Sequence, residues 1–542
     1  MIFKDHLKTE TRFFDKLEEI GFLRPKTKKL NHKEFENIKT ILFGTNVIPK
    51  PVPVPSGEEL LKNLTKEQKT IAQYDGKEML IKGVAGSGKT YTLIANAIIK
   101  SKTDSSILFM TFNKALNKKI QSDWEKYFSD DNDKGGNVKI INFHRWAWKP
   151  YFNLIKGSGD ALKDDYKRRI FIGKAIDKIK GTKRIKRFDN KQRENLDFLL
   201  DEFDFIKGKY ILSFEEYIGA DRSGRGEKRL NNKDKEFIFE LLGKYEEIKE
   251  EEDLFEFVDF GFNLIEKSEE LKKYDYVYVD EAQDLHQVEL QLLRKIAKKG
   301  FYVAADDNQK IYKRHYRWRE IGVNFTGGRV KKLSKSIRNT YEISKFASEL
   351  LKNNDFNEEN VEIEFDTSFR GEKPNIIEIE AIPHKDNKNY AKKYDIISER
   401  VINYLEKHLN NTVGILIKNS DTRIDGNIIK RKIEEKNKEL KGNILSNKNP
   451  DKISCDKKIL ITTVHHSKGL EFDYVIIPNF EKDTMTSDLY KDDEYWIKEK
   501  NLWYMTFTRA KNKLDIMYLK EKEINEVIKY IDRKTYNKID ET

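Results

Sequence analysis

At 542 residues the chain is too long for one hydrophobic core, and its 38% apolar and 36% charged residues predict about three or four soluble, globular units. No run of some 18 apolar residues occurs, and the opening "MIFKDHLKTETRFF" has charges where a signal peptide needs an apolar centre, so the expected location is cytoplasmic, with no membrane contact. The lone cysteine, Cys455, excludes an internal disulfide and every cysteine-cluster metal site, while the net charge of +12 suits a polyanionic partner.

Residues 1–48 show helical apolar spacing but no chemical motif; they are a candidate partner-binding module or a helical cap. Residues 49–58 follow as a linker, with prolines at 49, 51, 53 and 55 favouring an extended spacer. Short apolar runs then alternate with amphipathic helical stretches, the pattern of parallel sheets covered by helices. One set of strands is read at "EMLIKG", "SSILFMT", "VKIIN", "YVYVD" and "FYVAA", and a second at "RVKKL", "TVGILI", "KILITT", "DYVIIP" and "KLDIMYL". The fold class predicted is α/β, with a first unit over 59–330 and a second over 331–542. A Lys-, Glu- and aromatic-rich stretch at about 150–270 reads as a helical insertion in the first unit. The basic run Lys178–Arg187 is either a solvated helix face or a nucleic-acid contact.

"LIKGVAGSGKTYTL" runs strand, glycine loop, helix, and Gly83–Thr90 fits G-x-x-x-x-G-K-[ST]. Glycines let backbone N–H groups curl inward onto phosphate oxygens, and the helix N-terminus adds positive potential. Gly83, Ala85, Gly86, Ser87 and Gly88 form the expected cradle; Lys89 would meet the β- and γ-phosphates and Thr90 would offer its hydroxyl to Mg²⁺. Such a site needs a carboxylate on the strand next to the loop, and Asp280 ends "YVYV". Glu281, one residue on, is the candidate to orient and deprotonate the attacking water. ATP and Mg²⁺ are the cofactors so implied.

"VDEAQDL" resembles the Walker B motif of UvrD/Rep-type superfamily 1 helicases, and further stretches between residues 64 and about 519 fall in that family's order. "LTKEQKTIA" is similar to the Q motif, with Gln68 implied to read adenine. "TFNKAL" and "NFHRWA" resemble strand-contacting motifs, and "VAADDNQKIY" resembles motif III, where Gln309 would sense the γ-phosphate. "LSKSIRNT", "TTVHHSKGLEFDYVII" and "LWYMTFTRAKNKL" resemble motifs IV, V and VI. The resemblance implies two RecA-like P-loop NTPase domains, Arg338 and Arg509 as catalytic arginines, and Glu471 on the ribose. Thr111, Phe112, Asn113, Phe143, His144, Ser467 and Gly469 are the implied nucleic-acid contacts, and Trp318, in "HYRWREIG" after motif III, is a candidate platform for stacking a base. Trp146 is weighed as a stacking platform or a core residue.

Three departures stand out. Ala305 precedes Asp306 where motif III usually has Gly; Ile337 stands where motif IV has an adenine-stacking aromatic; and Tyr91 follows the P-loop Thr where Arg is common, suggesting that Tyr91 and Ile337 exchange roles on the adenine. The interval Lys418–Leu460 is too short for a full 2B domain, so 2B is expected to be short or vestigial. The resemblance implies an ATP-dependent single-strand DNA translocase or helicase, moving 3′ to 5′, acting on single strands or their junctions with duplex, in a repair or phage-defence complex. The alternative is a nucleic-acid-sensing ATPase switch that gates a partner effector such as a nuclease, through residues 1–48 or the second domain. A fused nuclease is disfavoured: the chain carries no convincing Asp…Glu-x-Lys constellation on a strand.

Overall fold

Apolar runs buried along their whole length, such as Glu78–Gly83 and Ile107–Thr111, build the first sheet, as expected of strands covered on both faces. The computed structural model describes residues 57–111, 114–127, 137–179, 188, 193–222, 230–306, 316–352, 364–380, 391–418, 422–446, 457–482 and 493–541. The expectations for residues 1–48, the prolines at 49–55, most of Lys178–Arg187, Phe112, Asn113, Gln309 and Cys455 lie outside the described residues.

The first sheet contains β1 (Glu78–Gly83), β2 (Ile107–Thr111), β3 (Val138–Asn142), β4 (Tyr274–Val279), β5 (Ala297–Ala305) and β6 (Val330–Leu333). Their order is β3-β2-β4-β5-β1-β6, with every pairing parallel. Alternation along the strands feeds two cores: Leu80, Leu108, Val277 and Val303 pack on one face, and Ile81, Phe109, Tyr278 and Tyr302 on the other. The run "RVKKL", expected in the second set, is instead the edge of the first sheet, pairing Leu80 with Val330 and Gly83 with Leu333.

The second sheet contains β7 (Asn375–Ile379), β8 (Val413–Ile417), β9 (Ile444–Ser446), β10 (Ile459–Thr463), β11 (Phe472–Ile477), β12 (Ala510–Leu519) and β13 (Asn537–Glu541). It too is parallel, in the order β9-β10-β8-β11-β12-β7-β13. The chain is thus α/β with two parallel-sheet, RecA-like domains. Within the interval Lys418–Leu460, the charged helix Thr422–Lys436 buries Ile429 and Ile433 against the second sheet's core, and β9 extends that sheet.

Between β3 and β4 the helices Asp165–Lys178, Arg193–Gly208 and Asn232–Glu251 close their own core around Ile172, Phe203, Leu241 and Tyr245. The last of them starts in a capping box between Asn231 and Asp234. At the base of these helices Glu246, Glu256 and Asp259 lie close enough together to suit a cation. Lys207 and Lys249, both buried, already pair with all three, and Arg168 adds a bond to Glu256 at 2.5 Å. Burial pushes Glu256 and Asp259 up, but the two lysines prevail and hold both below the usual carboxylate range. No described helix is long and apolar enough to cross a membrane.

Candidate functional site

The glycine loop leaves the C-terminal end of β1, the edge at which parallel sheets bind ligands. Gly86 and Gly88 hold φ of +75° and +83°, and the helix Lys89–Ser101 starts at the next residue. A Cβ on Gly86 would stand 2.9 Å from atoms of Ser336, Arg338 and Asn339, so the loop is packed directly against the segment leading to the second sheet. Among the described residues the buried Ser87 hydroxyl has no hydrogen-bond partner, and the loop's curl fits the phosphate cradle read from the sequence.

Lys89, 9% exposed, donates to the carbonyls of Gly83 (2.7 Å) and Val84 (3.1 Å) and pairs with Asp306 at 3.2 Å. These bonds hold its ammonium beside the cradle. Thr90 Oγ1 donates to Asp280 Oδ2 at 2.7 Å, a hydroxyl and carboxylate together where a divalent ion would need both. The strand carrying Asp280, expected next to β1, is separated from it by β5, and the glycine loop reaches past that strand so that the two side chains meet. Burial first and then the Glu281 charge raise the Asp280 carboxyl to about 7. Burial also pushes Glu281 up, but Lys468, Lys89 and Arg509 outweigh it and lower its carboxyl, keeping it charged as a general base must be.

Glu281 itself sits at φ +52°, a left-handed conformation that costs a non-glycine residue on the order of 1 kcal/mol or more. Gln283 holds it there: its amide donates to Glu281 Oε2, and its oxygen accepts from the Asp306 backbone N–H at 3.1 Å. Asp284, 1% exposed, accepts from Lys468 at 2.7 Å, a buried pair joining the first sheet to the second. The run "AQD" after the strand is therefore a brace, and Gln283, Asp284 and Lys468 were not among the residues singled out in the sequence. The polar run itself and the lysine in "SKGLEF" were the available signals.

A cleft open to solvent lies between the two sheets, with about 600 Å³ of unfilled space when its open mouth is included. Its first wall is the loop, Tyr91 and Glu281; its second is Arg338, Gly469, Glu471 and Arg509. Arg338 reaches Glu471 at 3.1 Å. Arg509, 1% exposed, donates to the carbonyls of Met505 (2.9 Å) and Leu470 (3.2 Å). Burial and the neighbouring Arg338 push its guanidinium down to about 10. One further bridge joins the two sides, the Ala85 N–H donating to Tyr504 Oη at 3.3 Å, while on the second side Asn339 donates to the carbonyl of Thr508 at 2.9 Å.

Not every candidate reaches this cleft. Gln68 is buried, its oxygen accepting from Thr65 N–H (3.0 Å) and its amide donating to the Ser87 carbonyl (3.0 Å), so it braces the loop from below. Tyr91 lines the cleft, and Ile337, 40% exposed, sits by Gly88. Replacing Tyr91 by Ala is expected to weaken nucleotide binding about 3- to 10-fold through loss of an aromatic face. Titration with a fluorescent nucleotide checks it, and unchanged affinity contradicts the exchange of roles with Ile337.

Among the implied nucleic-acid contacts, Phe143 is a correction: at 1% exposure it packs in the core with Trp146 and has no face left for a base. Trp146 is core as well, at 5%. Thr111 is fully buried at the end of β2, and Ser467, fully buried, donates to the Val464 carbonyl at 2.7 Å. His144 and Trp318 are half-buried, the latter edge-on to Tyr316 and Phe325, while Gly469 takes φ +77° on the cleft wall.

Residues 64–323 match the model of the UvrD/REP helicase N-terminal domain, and residues 427–521 that of the UvrD-like helicase C-terminal domain. A "Probable DNA helicase II homolog" of Mycoplasma genitalium is 27% identical over 258 residues, covering 43% of this chain and 33% of that protein. A protein of the same description in Rickettsia conorii is 27% identical over 316 residues, covering 53% and 44%. The matches thus span less than half the length of these curated relatives. A solved structure, the C-terminal domain of a possible DNA helicase from Lactobacillus plantarum WCFS1, aligns at 16% identity and a TM-score of 0.26, covering 38% of this chain and 98% of that one. With both family domains matched in order on two parallel sheets that enclose one cleft, the chain belongs to the UvrD/Rep helicase family.

Proposed function

We propose that this protein is an ATP-driven translocase on single-stranded DNA, a helicase of the UvrD/Rep type. The observation that carries the reading is a cleft whose phosphate cradle comes from one sheet and whose two arginines come from the side of the other. ATP in such a cleft draws the two walls together, and hydrolysis releases them, so each turnover moves one sheet relative to the other. Lys89 and the loop N–H groups hold the phosphates, Glu281 accepts the proton of the attacking water, and Arg338 and Arg509 meet the charge that develops on the transferred group. Thr90 and Asp280 would hold Mg²⁺, which when bound neutralises phosphate charge.

The direction we infer is 3′ to 5′, from the family resemblance, with a place in a repair or phage-defence complex. Displacement of streptavidin from end-biotinylated oligonucleotides tests the reading. Release should be ATP-dependent and several-fold faster from the 5′ end than from the 3′ end. Release from neither end contradicts translocation; preference for the 3′ end contradicts the direction.

A second reading, an ATPase switch that gates a partner effector, is supported by the described residues of Lys418–Leu460, which pack onto the second sheet as one long helix, a short helical turn and one strand. It predicts DNA-stimulated hydrolysis without strand separation on forked duplexes.

A further inference from the structure

The helix Phe143–Tyr151 starts at the C-terminal end of β3, on the same edge of the sheet as the glycine loop but four strands away, about 19 Å. Its sequence, "FHRWAWKPY", continues into Phe152 and interleaves rings with cations. Residues 144, 148 and 152 recur every fourth position, placing His144, Trp148 and Phe152 along one face at steps of about 6 Å.

Trp148 is 43% exposed, unusual for so large an apolar ring. It is nonetheless fixed: Phe152, Phe255 and Phe260 touch it with centroids 5.0, 5.4 and 6.1 Å away. Those contacts are tilted or edge-on, at 50°, 76° and 78°, so none of them is a parallel stack on the indole. His144 extends the row, stacked at 4.6 Å on Phe257, and the Lys163 ammonium lies 5.9 Å from that same Phe257 ring.

Arg145 and Lys149 follow the first two rings by one position and are exposed, and among the described residues neither forms an ion pair. Lys139 on β3 and Lys272 lie near enough that burial, and then the charges of Lys272, Lys149 and Arg145, depress the Lys139 ammonium. Positive charge is thus concentrated beside an exposed aromatic ring. An acidic peptide would answer the charge, but it has no need of the ring; a single strand of nucleic acid uses both, stacking bases and setting phosphates on cations.

We propose that this row is a second contact for single-stranded nucleic acid, in which Trp148 stacks on a base, His144 and Phe152 flank it, and Arg145 and Lys149 bind the adjoining phosphates. The proposal rests on the translocation reading and adds to it, beside the His144 that the family resemblance implies, the four residues Arg145, Trp148, Lys149 and Phe152. The row then holds strand at the outer edge of the first sheet while the cleft opens and closes.

The test is fluorescence anisotropy of labelled oligo(dT) with the full chain and no nucleotide. Trp148→Ala should weaken binding about 10-fold and Trp148→Phe should regain most of it. The double change Arg145→Ala, Lys149→Ala should flatten the log–log salt dependence by about 1.4. Because Trp148→Ala also removes packing, a second readout uses the wild type: an iodouracil-substituted strand should photocrosslink to the peptide 143–156. Unchanged affinity of Trp148→Ala, crosslinks only elsewhere, or equal competition by poly-glutamate of matched charge would overturn the proposal and leave translocation standing. A wild type with no affinity for any single strand overturns both.

Discussion

Replacing Arg509 by Ala is expected to lower DNA-stimulated ATP hydrolysis about 10³-fold or more at saturating ATP, with nucleotide affinity changed far less. Arg509 is buried beside Arg338, and its depressed guanidinium, at about 10, still carries its proton at neutral pH. Glu281, Glu471 and Asp306 offset that charge only in part. A polyphosphate between the arginines relieves their repulsion, most strongly when charge spreads over the transferring group. The side chain also donates to the carbonyls of Met505 and Leu470, so the Ala variant loses support for the segment as well. Arg509→Lys separates the two effects: it keeps the charge but lacks the planar fork, and should remain impaired by about 10²-fold or more while folding normally. Steady-state turnover together with a thermal melt checks both variants, and near-normal turnover by Arg509→Ala contradicts the assigned role.

Breaking the pair between Asp284 and Lys468 should cost about 3–5 kcal/mol of stability, because Lys468→Met leaves a carboxylate in the interior without its lysine. The two side chains are 1% and 5% exposed, too dry for water to take over. Adding Asp284→Asn to Lys468→Met should recover most of the loss, since the charge left behind is then gone. Urea unfolding of the two single variants and the double variant measures this. The same double variant should hydrolyse ATP with much reduced stimulation by DNA, because the buried link from the Walker B strand to the second sheet is missing. A Lys468→Met protein as stable as wild type contradicts the account of this pair.

The chemistry of the loop was legible because it is local. Glycine spacing, Lys89 and Thr90 all lie within eight residues, and their geometry follows from one strand, one turn and one helix. Strand order is not local. Nothing in "YVYVD" says that β5 will lie between it and β1, and only pairing across the sheet decides it. The same holds for "RVKKL", whose four paired residues, two lysines between a valine and a leucine, carry too little apolar pattern to name their sheet; its register against Leu80–Gly83 comes from tertiary packing.

Aromatic residues expose a second limit. Phe143, Trp146 and Trp148 share one short helix, and helical spacing alone cannot say which side faces the sheet; Phe143 and Trp146 turned inward and Trp148 outward. Gln68 shows a third. An amide can serve a ligand or the fold, and here a helix cap and the Ser87 carbonyl use both ends of it.

The most direct measurement is ATP hydrolysis by wild type and Glu281→Gln, each without polymer and with single-stranded DNA, duplex DNA and RNA. The account predicts strong stimulation of the wild type by single-stranded DNA and a loss of about 10³-fold or more in the variant, whose amide cannot accept the water's proton. Hydrolysis that is constitutive and indifferent to every polymer, or a Glu281→Gln protein as active as wild type, would contradict it.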